Sequence, residues 1–292
     1  MRGVGEATAA ITIVNALATG VGAAVGIDLR ARAEVELHPA GSRGKWDVRL
    51  PEESRTPLVI ASLDAALNRF APGSAGTASL SLRSDIPTGR GLKSSSAVSS
   101  ALVLAVAEAT DARPDALEVA RLSAAAATQS GVSATGAFDD ALAGLATGVI
   151  VTNNSDRTIL GRYELPAGLE VALLIPRTTH SPSPEWRTSF ARNAAAGRPA
   201  VEAALAGDWA GAMRWNTELV ERLVGYDYAT VRAALSAEGA VGCSVSGMGP
   251  ALAAVAPRPR LPNVLGALPS RLGDRRTVRF ATSGRPIEVG TA

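Results

Sequence analysis

Cysteine, histidine and lysine are almost missing from this 292-residue sequence: it has one cysteine (Cys243), two histidines (His38 and His180) and, among 29 basic side chains, two lysines, Lys45 and Lys93. A single cysteine rules out an internal disulfide, and with two histidines it leaves too few ligands for a Cys/His zinc site. Neither histidine stands in a Cys/His protease context, so Cys243 is expected to be a small buried residue. A charge excess is missing too. Lys+Arg total 29 against 27 Asp+Glu, a formal charge of +2, and the pI near 9.0 reflects arginine-rich composition without a basic tail. That balance argues against a dedicated nucleic-acid or membrane-surface binder. Long apolar runs are also absent. The best, residues 97–107, carries Ser99 and Ser100 and falls well short of the ~18–20 residues a membrane span needs. The apolar start is interrupted by Glu6 and Asn15 and broken by Gly20, Gly22 and Gly26, which does not fit a signal peptide. The expectation is a soluble, cytoplasmic protein held by packing.

What is present is enough for a substantial core. The chain is 47% apolar and 19% charged, and its length suits one large or two modest domains. Residues 10–14 and 24–35 read as strands, the second alternating apolar Ile27, Leu29, Ala31, Ala33 and Val35 with polar neighbours, and Thr19-Gly20-Val21-Gly22 reads as the turn between them. A polar hairpin connection is expected over 38–45. A helical pattern over 57–70 and a short strand over 78–82 complete a β-β-α-β opening, and two consecutive helices are expected over 94–109 and 114–129. Residues 148–152, 158–164 and 170–175 read as strands that begin a new sheet. Helical patterns follow over 184–196, 199–205, 209–223 and 228–237, with strands over 251–256 and 277–281. The class is α+β, divided near residue 150 into 1–150 and 151–292. Trp186, Trp209 and Trp215 fall in helical patterns and are expected in the core or an interface.

The chemistry concentrates in Asp85-Ile86-Pro87-Thr88-Gly89-Arg90-Gly91-Leu92-Lys93-Ser94-Ser95-Ser96-Ala97, a strand exit, a glycine loop, three hydroxyls and a helix start. Gly89 and Gly91 let backbone N–H groups approach an anion, the helix N-terminus adds partial positive charge, and serines offer donors or a Mg²⁺ ligand. A nucleoside triphosphate fits such a loop. Leu92 stands where a Walker A loop needs glycine, and Gly89-Arg90-Gly91 does not continue into a Rossmann fingerprint. By itself the loop also fits a plain serine-capped helix.

Residues 87–97 resemble the phosphate-binding motif P-x-x-x-G-L-x-S-S-A of the GHMP small-molecule kinases, the family of galactokinase, homoserine kinase and mevalonate kinase. Two further segments match in order and separation. Thr135-Gly136-Ala137-Phe138-Asp139-Asp140-Ala141 resembles the segment holding the family's catalytic aspartate, and Ser244-Val245-Ser246-Gly247-Met248-Gly249-Pro250-Ala251 resembles its C-terminal glycine motif. Within the family the likeness is greatest to the archaeal-type shikimate kinases, through Thr12-Ile13-Val14-Asn15-Ala16, Gly91-Leu92-Lys93-Ser94-Ser95-Ser96 and Thr135 to Asp140. Homoserine kinases share the Ser246-Gly247-x-Gly249-Pro250 turn but usually lack an aspartate where Asp139 stands.

The resemblance implies the two-domain GHMP kinase fold, with a ribosomal S5 domain 2-like N-terminal half, a ferredoxin-like C-terminal half and catalysis in the cleft between them. It implies ATP and Mg²⁺ as cofactors, a small alcohol as partner, and phosphorylation of the 3-hydroxyl of shikimate, with homoserine or mevalonate as alternative acceptors. ATP is expected on Pro87, Gly89, Arg90, Gly91, Leu92, Lys93, Ser94, Ser95, Ser96 and Ala97. Asp139 is the expected base, three residues after Gly136 as in the galactokinase motif, and Lys93 is expected to offset transferred charge. Ser95 and Asp140 are the expected metal ligands. A glutamate that holds Mg²⁺ in mevalonate kinases is replaced here by Thr128, with Gln129 next, so the metal shell departs from the family's pattern. Shikimate carries a carboxylate and three hydroxyls, which calls for an arginine and neutral hydrogen-bonding groups. Arg177-Thr178-Thr179-His180-Ser181 has that composition, and Asn15, Thr19, Gly247 and Gly249 are further candidates by family position. A non-catalytic RNA-binding module is the remote alternative, because β-β-α-β openings also occur in ribosomal proteins, but the charge balance lacks the basic surface it would need.

Overall fold

The computed structural model describes residues 1–41, 45–179 and 184–285. The chain opens with β1 (Arg2–Val14) and β2 (Val21–Gly41), paired antiparallel from Arg2↔Glu36 to Val14↔Ala23. Alternation sets the faces of β2: Ile27, Leu29, Ala31, Ala33, Val35 and Leu37 are buried, whereas Arg30, Arg32 and Glu36 are exposed. Both strands outrun the spans read from apolar alternation, because the solvent face is held by cross-strand ion pairs such as Arg2–Glu34 and Arg32–Glu6. Residues 38–41, expected in a hairpin connection, continue β2, and residues 42–44 lie outside the described residues.

After β3 (Trp46–Arg49), α1 (Pro57–Phe70) starts where Thr56 accepts the Val59 N–H, with Pro57 in its first turn. Next come β4 (Ala75–Ser84), α2 (Ser94–Ala109), α3 (Ala116–Gln129), capped by Asp115, and the short α4 (Phe138–Ala143). The serines interrupting the apolar run of α2 join helix to helix: Ser99 meets Ser62 of α1 at 2.7 Å and Ser100 meets Ser123 of α3 at 3.1 Å.

β5 (Val149–Asn153) and β6 (Thr158–Tyr163) join the first sheet, which corrects the new sheet expected from residue 148. The length of β2 explains this. β1 covers one edge, while the other takes β5 at residues 21–25 and β4 from residue 31 onward. Residues 279–281 fill the gap between them, with Asp28 N–H donating to the Arg279 carbonyl and Ala281 N–H to the Gly26 carbonyl.

The second sheet begins at β7 (Leu169–Pro176) and continues through α5 (Pro184–Arg192), α6 (Ala194–Leu205), α7 (Trp209–Val224), α8 (Ala229–Ala237), β8 (Gly242–Val245), β9 (Leu252–Pro257), α9 (Leu261–Ala267) and β10 (Gly273–Val278). Its strands are all antiparallel in the order β10-β7-β9-β8, the β-α-β-β-α-β plan of a ferredoxin-like half. The last strand ends at Val278 because the stretch after it serves the first sheet. Among the described residues no helix is long and apolar enough to cross a membrane.

Candidate active site

Three segments distant in sequence meet in a cleft between the sheets: the end of β1, the loop before α2, and the glycine turn between β8 and β9. Side-chain hydrogen bonds fix their contact. The Ser246 hydroxyl donates to the Gly91 carbonyl (2.8 Å) and accepts the Thr12 N–H (3.2 Å), while Gly247 N–H donates to Thr12 Oγ1 (2.7 Å). Asn15 donates to the Gly247 carbonyl at 2.9 Å, and its own oxygen accepts the Leu17 N–H, so its amide staples the turn to β1. Gly91 has φ +81°, and a Cβ there would lie 2.0 Å from the Ser246 carbonyl oxygen, so only glycine permits this approach. From outside, Tyr226 and Tyr228 donate to the Met248 and Pro250 carbonyls.

The loop delivers α2 with its N-terminus facing the cleft. Gly89, Gly91, Lys93, Ser94, Ser95 and Ser96 line it; Leu92 and Ala97 are buried in the core, and Pro87 and Arg90 stand outside the lining. Arg90 instead donates to the Arg177 carbonyl (2.8 Å), tying the loop to the end of β7. Lys93 adopts the left-handed conformation (φ 65°, ψ 30°) immediately before α2, which directs its ammonium to 3.0 Å from Asp140 Oδ1. The pair is close but off hydrogen-bond alignment, leaving Asp140 Oδ1 sealed from solvent without a hydrogen-bond partner.

Asp139 enters from α4 and is 4% exposed. Asn154, in the turn after β5, donates to Asp139 Oδ1 at 2.8 Å. Burial, reinforced by the Asp140 charge, pushes the Asp139 carboxyl up to about 7 against the opposing influence of Lys93 and the Asn154 amide. The other oxygen, Oδ2, sits against Gly22, where an added Cβ would lie 2.2 Å from it. Gly22→Ala therefore evicts the carboxylate. Its kcat is expected to fall about 100-fold, the cost of misplacing a reacting group by an ångström, and a folded variant with unchanged kcat would show that the carboxylate does not need this seat.

The remaining sequence-derived candidates separate. Asn15, Gly247 and Gly249 line the cleft. The Thr19 hydroxyl is bonded within its own turn to Val21, and Arg177 and Thr178 are exposed beside the loop and do not line the cleft. His180 and Ser181 lie outside the described residues. Among the described residues the arginine in the cleft wall is Arg187 of α5, half-buried, with Trp186 beside it. Arg187 has no ion-pair partner among the described residues. Trp186 lines the cleft and also packs against the buried cluster around Phe190 and Leu219 in the second half, whereas Trp215 is exposed beneath Arg214. Cys243 is half-buried rather than fully enclosed, and desolvation pushes its thiol up to about 12.

The donor set suits a phosphate-bridged Mg²⁺. Asp140 brings a carboxylate oxygen that faces the Lys93 ammonium without a hydrogen-bond partner and Ser95 an exposed hydroxyl, and Mg²⁺ commonly takes one or two carboxylates with phosphates and water. No cluster of three acidic, His or Cys ligands occurs among the described residues, so the protein alone does not build a full shell. Thr128 donates to the Ala124 carbonyl of its own helix and supplies no ligand in place of the family's glutamate.

An anion-ready helix N-terminus, a lysine and a buried carboxylate facing one another between two such sheets define a small-molecule kinase. Residues 58–148 match the family model described as the GHMP kinases N terminal domain. The chain is 39% identical to a shikimate kinase of Pyrococcus abyssi over 89% of this chain and 93% of that protein, and 38% identical to one of Methanothrix thermoacetophila over 100% and 98%. Among solved structures, it resembles a homoserine kinase of Cytophaga hutchinsonii (TM-score 0.71, 19% identity, covering 96% and 95%) and a mevalonate kinase (TM-score 0.70, 14% identity, 95% and 98%). This chain belongs to the GHMP kinases, and its phosphate donor is ATP.

Proposed function

We propose that this protein transfers the γ-phosphoryl group of ATP to the 3-hydroxyl of shikimate. The observation that carries the reading is Asp139, the one buried carboxylate among the described residues, facing the phosphate loop with Arg187 in the wall of the same cleft; the relatives at 38–39% identity are shikimate kinases. In this reading the first sheet with α1 to α4 holds the nucleotide, and the second half supplies the glycine turn and Arg187. The phosphates lie on the backbone of Gly89 and Gly91 and the N-terminus of α2, and Lys93 offsets charge on the transferred group. Arg187 pairs with the shikimate carboxylate, while Thr135 and Ser133 offer hydroxyls to the ring. Asp139 accepts the 3-hydroxyl proton as the oxygen–phosphorus bond forms and the bond to ADP breaks. Asp140 and Ser95 would hold Mg²⁺ together with the phosphates, and the ion would supply charge neutralisation there.

The test is ATP consumption with Mg²⁺ and, separately, shikimate, homoserine, mevalonate and galactose. Turnover with shikimate alone is expected. Turnover only with another alcohol would keep the kinase chemistry and overturn the substrate. Because Asp139 acts as a base only when deprotonated, kcat should rise with pH through about 7 and level off above it. A kcat that stays flat from about pH 5 to 8 would remove Asp139 as the titrating base.

A further inference from the structure

We infer that Asn154 is a positioning residue that selects which oxygen of Asp139 receives the substrate proton. The inference rests on Asp139 being the base. Asn154 is 2% exposed and does not line the cleft; its backbone N–H donates to the Gly20 carbonyl (2.9 Å), fixing it beneath the turn between β1 and β2. Its side-chain oxygen accepts two donors, the Thr152 hydroxyl (2.7 Å) and the Asp139 N–H (3.2 Å). These donors allow only one orientation of the amide. Turned over, its NH₂ would face both donors and its oxygen would face a carboxylate. In the orientation they impose, Nδ2 donates to Asp139 Oδ1 (2.8 Å) and reaches Thr135 Oγ1 at 3.4 Å.

Asn154 therefore holds the base at two points, its main-chain N–H and one carboxylate oxygen. Oδ1 is already committed, and Oδ2, seated over Gly22, is the oxygen left to meet a hydroxyl arriving from the cleft. The holding group is a neutral amide, which orients the carboxylate without the strong stabilisation of its charged form that an arginine or lysine would bring. The alignment adds nothing to ground-state binding, so its loss belongs in kcat and leaves KM alone.

The experiment compares Asn154→Asp, Asn154→Ala and Thr152→Val with Asp139→Asn by steady-state kinetics, with thermal unfolding to verify folding. Asn154→Asp keeps both acceptor contacts and turns the donor facing Asp139 into an acceptor. Both Asn154 variants are expected to lose about 10- to 100-fold in kcat with KM for ATP and alcohol near wild type. Thr152→Val, which removes one orienting donor and preserves packing, should lose less in the same direction, and it tests the inference even if Asn154→Ala fails to fold. Wild-type kcat in a folded Asn154 variant, or a loss mirrored by a rise in both KM values, would overturn the inference. The two readings fail separately: wild-type turnover in Asp139→Asn defeats the base itself, whereas an inactive Asp139→Asn beside fully active Asn154 variants defeats only the role of Asn154.

Discussion

Asp139→Asn is expected to lower kcat by about 10³-fold, inside the 10²–10⁴ range supplied by a positioned general base. The replacement keeps the shape of the side chain and an oxygen for the Asn154 amide, so the fold and the α2 N-terminus stay in place. What disappears is the capacity to take a proton. ATP affinity, set by the loop and the helix terminus, should be nearly unchanged, which calorimetry or nucleotide-dependent thermal shift would show. Loss of ATP binding together with turnover would mean that the variant had disturbed the Lys93–Asp140 pair next to it. Wild-type turnover would sink the assignment of Asp139 outright.

Arg187→Met should act on the other side of the ledger, raising KM for shikimate with little change in kcat. A charge-assisted contact of about 1.5–3 kcal/mol corresponds to roughly a 10- to 150-fold change in affinity. Methionine fills similar space while removing the guanidinium. Arg187→Lys should recover part of the loss, because an ammonium meets a carboxylate as a point charge rather than a two-pronged fork. KM for ATP should not move. An unchanged KM for shikimate in Arg187→Met would return the search for the carboxylate partner to other arginines.

Local signals and long-range contacts divide what the sequence could reveal. The helix spanning 57–70 was legible because its apolar residues recur at helical spacing along that one segment. The glycine loop and the Asp139 segment were legible as motifs, and they converge on one cleft. The sheet membership of β5 was not, since nothing in Val149–Asn153 specifies pairing with residues 21–25. Asn154 lies in the short polar stretch between the segments read as strands over 148–152 and 158–164, and its partner at Asp139 appears only after two elements pack. Gly22 likewise read as a turn glycine, yet its missing side chain makes room for a carboxylate 117 positions away. Arg187 had no local mark in a chain rich in arginine, and only the placement of α5 against the cleft distinguishes it from Arg177.

The hydroxyl that holds Gly91 comes from Ser246, 155 positions further along the chain, and Thr12 meets Gly247 across 235. On a ribosome the nucleotide loop thus emerges long before the residue that gives it shape. The leading portion can assemble its helices and most of its sheet on local contacts, but the loop stays unbraced until the closing strands dock. In the proposed reading, nucleotide capture is then expected only once those closing strands have docked.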